Sequence, residues 1–238
     1  MKKTFTLLTT CLLLSTPLKA EGENLSQSGF FIGAQAGYNY LGTKVDTTSS
    51  LADLVIPVIS SVSDRKFVRV HSFIGGGLFG YLWSLNRACF AGVELEGNFD
   101  NMELKKRFAQ NGQNFQYNIC RQFNLVPSFI IGAYLHERLK CFLKLGFALS
   151  SLDYSVKNIT DGIKISHRRL EVGFAPSLVQ EFQVNKNIAV LATATYEFYK
   201  KSNVTFLGTI SPVTPVDNNV LKARLNNFSL KFGLKYYI

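Results

Sequence analysis

The sequence predicts an all-β fold, an eight-stranded antiparallel up-and-down transmembrane β-barrel, and three observations predict it. The last twelve residues alternate strictly: Phe228, Leu230, Phe232, Leu234, Tyr236 and Ile238 on one face, Asn227, Ser229, Lys231, Gly233, Lys235 and Tyr237 on the other. This is the period of two of a strand with one apolar and one mostly polar side. It is also long enough to cross a bilayer, which a tilted strand does in roughly 9–11 residues. Seven further stretches repeat the alternation. The connections between the eight run long, short, long, short, long, short, long, as in barrels with tight turns on one side of the membrane and larger loops on the other.

The chain opens with Met1, Lys2 and Lys3, an apolar run over residues 5–14, and Pro17, Leu18, Lys19 and Ala20. A basic start, a short apolar core and a small residue at the end read as a secretory signal peptide, residues 1–20, cut after Ala20. The apolar run is too short for a membrane helix. Cys11 within it lacks the small neighbours of a lipid-anchor motif. Residues 21–28 are a polar leader, and residues 29–238 form the barrel domain.

The first strand, residues 29–41, sets Phe30, Ile32, Ala34, Ala36, Tyr38 and Tyr40 against Gly29, Gly33, Gln35, Gly37 and Asn39, with Phe31 breaking the pattern. A Ser/Thr-rich connection, 42–65, contains an apolar piece, 51–59, that reads as a short helix over the barrel mouth. In the second strand, 66–83, Val68, Val70, Ile74, Leu78 and Leu82 form the apolar face, against Arg69, His71, Gly75 and Gly77. The third, 88–100, sets Ala91, Val93, Leu95 and Phe99 against Gly92, Glu94, Glu96 and Asn98. After a polar loop, 101–114, the fourth, 115–134, puts Tyr117, Ile119, Phe123, Leu125, Phe129 and Ile131 on its apolar face. Pro127 within it predicts an irregular rung. The fifth strand is 140–156, the sixth 167–183 and the seventh 188–199, with loops at 157–166 and 200–222. The terminal strand closes the set.

The apolar faces are rich in Phe, Leu, Ile and Val, with Tyr near strand ends, which fits lipid contact and aromatic girdles. The opposite faces carry carboxylates (Glu94, Glu96, Glu171, Glu181, Glu197) and bases (Arg69, Lys144, Arg169, Lys231, Lys235) in equal number. An eight-stranded barrel is only wide enough for its own side chains, and buried charges need partners. The expected lumen is therefore a structural network of these ten residues. The alternative is a soluble barrel with the faces reversed.

The formal charge is +10, and about +7 once Lys2, Lys3 and Lys19 leave with the signal peptide. In an exported protein this surplus points to anionic lipid, lipopolysaccharide or acidic host surface molecules, not nucleic acid. The expected contacts are bases near the outer rim: Lys66, Lys105, Lys106, Arg107, Arg168, Lys200, Lys201 and Arg224, with Lys44, Arg65, Lys157, Lys164 and Lys222 among their neighbours. Phosphorylated lipid headgroups or acidic glycans would be held there by charge-assisted hydrogen bonds.

Cys89, Cys120 and Cys141 are odd in number and contain no CxxC, so neither a disulfide framework nor a zinc site is expected, and no cofactor is implied. Two Ser/His neighbours, Ser72 beside His71 and Ser166 beside His167, are the candidates for catalysis. Adjacent strand residues point to opposite faces, and no nucleophile-elbow or phosphate-loop motif occurs. The chain reads as a non-enzyme.

Gly75-Gly76-Gly77-Leu78-Phe79-Gly80-Tyr81, a tight turn, and then Phe90-Ala91-Gly92-Val93-Glu94-Leu95-Glu96-Gly97-Asn98-Phe99 resemble the small eight-stranded outer-membrane barrels, the opacity-type and OmpA-type membrane domains. Val126-Pro127-Ser128, Val172-Gly173-Phe174 and Tyr196-Glu197-Phe198 resemble that group's later strands. Such proteins usually end in Phe, whereas this chain ends in Ile238, and no peptidoglycan-binding domain follows strand eight. The resemblance implies the barrel and a bacterial outer-membrane location. Fold alone does not fix function. The expected role is a monomeric structural or surface-interaction protein. A narrow or gated pore is the alternative, and a lipid A-modifying enzyme ranks behind both.

Overall fold

The computed structural model describes residues 28–49, 66–110, 113–160, 162, 164–200, 202–206 and 219–238. The signal-peptide and leader assignments, the 51–59 helix and Lys201 lie outside them, apart from Ser28. Among the described residues there are nine strands: β1 Gly29–Ser49, β2 Lys66–Ser84, β3 Cys89–Gln110, β4 Gln113–His136, β5 Leu139–Asn158, β6 Lys164–Gln183, β7 Ile188–Tyr199, β8 Ser202–Phe206 and β9 Asn219–Tyr237. Each pairs antiparallel with its neighbour, and β1 pairs with β9 to close the ring. The short β8 extends β7: both pair with β9, from Ile188↔Tyr236 through Phe198↔Asn226, then Ser202↔Ala223 after a one-residue slip. The ring therefore has eight staves.

Two of the three short turns, β2–β3 and β6–β7, share one device. Asn86 Oδ1 accepts from the amides of Ala88 and Cys89 at 2.8 and 2.7 Å, and Asn185 Oδ1 from those of Asn187 and Ile188 at 2.9 and 2.8 Å. An Asn side chain here mimics a backbone turn. Two glycines permit close approaches. A Cβ on Gly37 would run into the Leu230 carbonyl, and one on Gly80 into the Phe31 ring and the Val93 carbonyl.

Over the inner part of every stave the outward face is apolar. It runs from Phe30 to Tyr40 on β1, from Trp83 to Phe73 on β2, from Val93 to Phe99 on β3, and from Leu143 to Leu149 on β5. On the later staves it runs from Phe182 to Leu170, Ile188 to Phe198 and Tyr236 to Phe228. Ten residues of tilted strand give a belt about 25 Å tall, the height of a bilayer's hydrocarbon band. Beyond it the pattern inverts. Outward residues become Asn101, Glu103, Lys105 and Arg107 on β3, and Lys157, Lys164 and Arg168 on β5 and β6. Inward residues become Leu41, Met102, Leu104, Ile119, Leu152, Tyr154, Val156 and Leu225, all buried. The staves thus continue past the membrane as an extension with an apolar interior and a polar exterior.

Three sequence expectations are corrected here. The polar segment 101–114 is largely strand, and strand enters 157–166 from both ends, to Asn158 and from Lys164, because the alternation continues with the faces exchanged. On β2 the inward residues are Ser72, Ile74, Leu78 and Leu82, while His71 and Phe73 face out, Phe73 83% exposed. Both faces of β2 are apolar, so hydropathy alone chose the wrong side. β4 carries a second irregularity, at Gln122, besides the interrupted rung expected at Pro127. Pro127 leaves a gap in the β4–β5 ladder, between Leu125↔Leu149 and Ser128↔Gly146, without shifting it. At Gln122 the register slips against both neighbours. Gln122 and Phe123 both lie outward, and the alternation reverses so that Arg121, Ile119 and Tyr117 turn inward, as a β-bulge does.

Candidate functional site: lumenal ion tiers and an outer basic face

The lumen is filled by three tiers of ion pairs. In the inner tier Glu181 accepts from Lys235 at 2.9 Å, from Lys140 at 3.1 Å and from the Tyr237 hydroxyl at 2.5 Å. Lys235 also stands 4.2 Å from the centre of the Phe31 ring, which Gly80 makes room for. Such a contact is favourable for a desolvated ammonium.

In the middle tier Lys144 bridges Glu94 and Glu96 at 2.7 and 2.8 Å, while Lys231 donates to the other oxygen of Glu96. Asn98 adds a bond to Glu96 at 2.7 Å. In the outer tier Arg121 binds Asp100 through Nε (2.8 Å) and Nη2, and Glu197 through Nη1 at 2.5 Å. Asn39, Asn124, Tyr199 and Asn227 supply the remaining donors to these two carboxylates. The paired side chains of all three tiers are at most 3% exposed. Apolar clusters pack at both ends, around Phe31, Phe90, Ile130 and Phe142 inside, and around Leu104, Leu152 and Tyr154 outside.

Of the ten residues expected in the lumen, Glu94, Glu96, Lys144, Glu181, Glu197, Lys231 and Lys235 are brought together in these tiers. Glu171 is buried at their outer edge, 3.5 Å from Arg169. Arg169 itself is half exposed: β6 pairs with β7 only from Gly173 inward, so Arg169 stands above the closed ring. Arg69 lies on β2 outside these tiers. It pairs with Gly42 in the ladder. Sequence reasoning missed Asp100, Arg121 and Lys140. Asp100 and Lys140 lay at the edges of their assigned strands, on the parity of Glu96 and Lys144. Only the bulge at Gln122 brings Arg121 inside.

The second feature is the outward face of the β3–β4–β5–β6 extension. Arg107, Gln116, Lys157 and Lys164 occupy one row of the ladder, strand by strand. Strands lie about 4.8 Å apart, so the row spans roughly 14 Å. Arg107, Lys157 and Lys164 are exposed, and among the described residues no carboxylate lies within ion-pair distance of them. Arg107 Nε donates to Gln116 Oε1 at 3.4 Å. The next row is Lys105, Asn118, Ser155 and Ser166, and the one below it Glu103, Cys120, Asp153 and Arg168. Lys105 pairs with Glu103 at 2.7 Å, and Asn118 donates to the same carboxylate at 2.7 Å. The hydrogen bond from Lys105 holds Glu103 below its ordinary range, with a smaller contribution from Asn118. Arg168 lies 3.9 Å from Asp153.

The other expected contacts are dispersed. Lys200 is exposed at the end of β7. Lys66 and Arg224 pair with Val45 and Lys44 on the β2–β1–β9 side of the ring, and Lys106 pairs with Tyr117. Ser72 is buried whereas His71 is exposed, so that pair does not meet. Among the described residues no cluster of His, Cys, Asp and Glu could hold a metal ion.

No protein-family model and no curated protein matches the chain. Among solved structures it is similar to Ail, the attachment invasion locus protein of Yersinia pestis (11% identity, TM-score 0.41, covering 88% of this chain and 99% of that one). It is also similar to Neisserial surface protein A (15%, 0.44, 89% and 98%) and to the outer-membrane protease OmpT of Escherichia coli (9%, 0.44, 94% and 100%). At such scores no residue's role transfers, and the barrel's own faces carry the assignment. A closed ring that turns apolar side chains outward over one bilayer's height, and buries its charges in pairs within, is a small eight-stranded barrel of the bacterial outer membrane.

Proposed function

We propose that the protein is a non-enzymatic surface-contact protein, monomeric in the membrane, whose outer β3–β6 face holds acidic saccharides. One observation carries this reading: the row of Arg107, Gln116, Lys157 and Lys164, set on strands, its three cations exposed and, among the described residues, without a carboxylate at ion-pair distance. Arg107 lies eight residues beyond Phe99, the last lipid-facing apolar side chain of β3. At the usual rise and tilt this is roughly 20 Å above the hydrocarbon. Lipid phosphates sit closer in, so the row meets sulfate, phosphate or carboxylate groups carried on sugar chains, of lipopolysaccharide or of a host surface. The packed lumen supports a structural plug over the pore reading. Closure of β1 on β9 leaves no unpaired stave within the belt and supports the monomer.

The test is binding of a sulfated oligosaccharide to the barrel refolded in lipid vesicles, with vesicles carrying lipopolysaccharide as a second arm. Reversing Arg107, Lys157 and Lys164 to Glu is expected to weaken binding at least tenfold, and rising salt to weaken it further. Loss in one arm alone identifies the source of the sugar. Unchanged binding of the triple variant in both arms overturns the reading.

A further inference from the structure

Five buried oxygens of the outer tier have no hydrogen-bond partner among the described residues: Asp100 Oδ1, Ser72 Oγ, Asn39 Oδ1, Ser229 Oγ and Asn227 Oδ1. They form one arc on four neighbouring staves. Asn39 pairs with Ser72 on β2 and with Ser229 on β9, Asn227 follows two residues along β9, and Asp100 stands opposite Ile74 on the far side of β2. Asn39, Asn227 and Ser229 are fully buried. The amide groups are oriented by their own donors: Asn39 Nδ2 binds Asp100 Oδ2 at 2.8 Å and Asn227 Nδ2 binds Glu197 Oε2 at 3.0 Å. This leaves both carbonyl oxygens free.

The tier also carries surplus negative charge. Among the described residues Asp100 and Glu197 share the one guanidinium of Arg121, while Lys231 is taken by Glu96. A buried carboxylate oxygen and two buried carbonyls without donors are costly. An oxygen-only set suits a hard cation, and one surplus charge suits a monovalent one. We propose that this arc binds an alkali cation, Na+ or K+, as a structural ion of the outer tier. The proposal is independent of the glycan reading.

The test is thermal unfolding of the full barrel in detergent, followed by far-UV circular dichroism, in NaCl, KCl and choline chloride at equal ionic strength. A saturable rise of the midpoint in Na+ or K+ over choline, ~4 °C or more, is expected. Asp100→Asn is expected to abolish that difference, whatever its own midpoint. Ser229→Ala, which leaves the charge unchanged, is expected to raise the half-saturating concentration about tenfold. Identical midpoints in all three salts would show that water alone satisfies the arc. A midpoint that follows pH but not cation would place a proton on Asp100. Either result overturns the proposal.

Discussion

Replacing Arg121 by Met tests whether the outer tier holds the barrel together. Arg121 is 1% exposed and binds two carboxylates and the Tyr199 hydroxyl, the last at 3.1 Å. Met fills a similar volume without charge, so packing is largely kept while Asp100 and Glu197 lose their counter-ion. Removing one partner of a buried pair costs about 3–5 kcal/mol, and with two carboxylates stranded the loss is expected in the upper part of that range. The triple variant Asp100→Asn, Arg121→Met, Glu197→Gln strands no charge and is expected to recover most of it. Urea unfolding in lipid vesicles reads both. The single tryptophan, Trp83, faces the belt and reports insertion by its fluorescence. A loss below about 1 kcal/mol for Arg121→Met, or a triple variant no more stable than the single one, would refute the account of the tier as a charge-paired plug.

The belt makes a paired prediction: Phe147→Arg, on the lipid face, should cost about 2–4 kcal/mol, while Ser166→Arg, on the extension, should change stability by less than about 0.5 kcal/mol in the same unfolding assay. Gly37→Ala drives a methyl into the Leu230 carbonyl and should cost roughly 1–3 kcal/mol. Deletion of Gln122 removes the bulge and turns Arg121, Ile119 and Tyr117 outward, so the shortened chain should fail to give the compact, heat-modifiable band of a folded barrel on electrophoresis. Acidity should act on the glycan face through Glu103. Because Lys105 holds its carboxyl below the ordinary value of 4.5, Glu103 stays charged on mild acidification. Binding of a sulfated sugar should strengthen only below that value, when the negative charge is lost, and Glu103→Gln should remove the step.

The staves were legible because a barrel wall obeys one rule, period-two alternation, and β5 shows why it reads so well. Lys144 and Ser150 alternate with Leu143, Leu145 and Phe147 without interruption. The same rule failed where a second effect entered. On β2, aromatic residues outside and aliphatic residues inside leave no polar face to mark the lumen. On β4 a single inserted residue reverses the parity, and Arg121 cannot be assigned before the slip is seen. The segments beyond the belt read as loops because their polar residues were assumed to mean turn. Polar side chains at every second position, over buried Leu152, Tyr154 and Val156, are instead a strand in water.

That inversion also bears on how such a protein makes contacts. In lipid, the outward face must be apolar and the lumen must satisfy its charges internally. In water the hydrophobic effect reverses the preference, and an apolar interior holds the extension together. The two regimes meet between Phe99 and Asn101 on β3 and between Leu149 and Ser151 on β5. The inner and middle ion tiers lie below that junction, the outer tier lies at it, and the apolar cluster lies mainly above it. The cations on the extension are therefore carried by paired strands anchored to a packed plug, and strand-borne sites hold their geometry better than loop-borne ones. Three cations fixed in a row lose less side-chain and loop entropy on meeting a polyanion than the same charges on a free loop would. On this argument the contacts the sequence first suggests, scattered through connecting segments, matter less than the few that the sheet aligns.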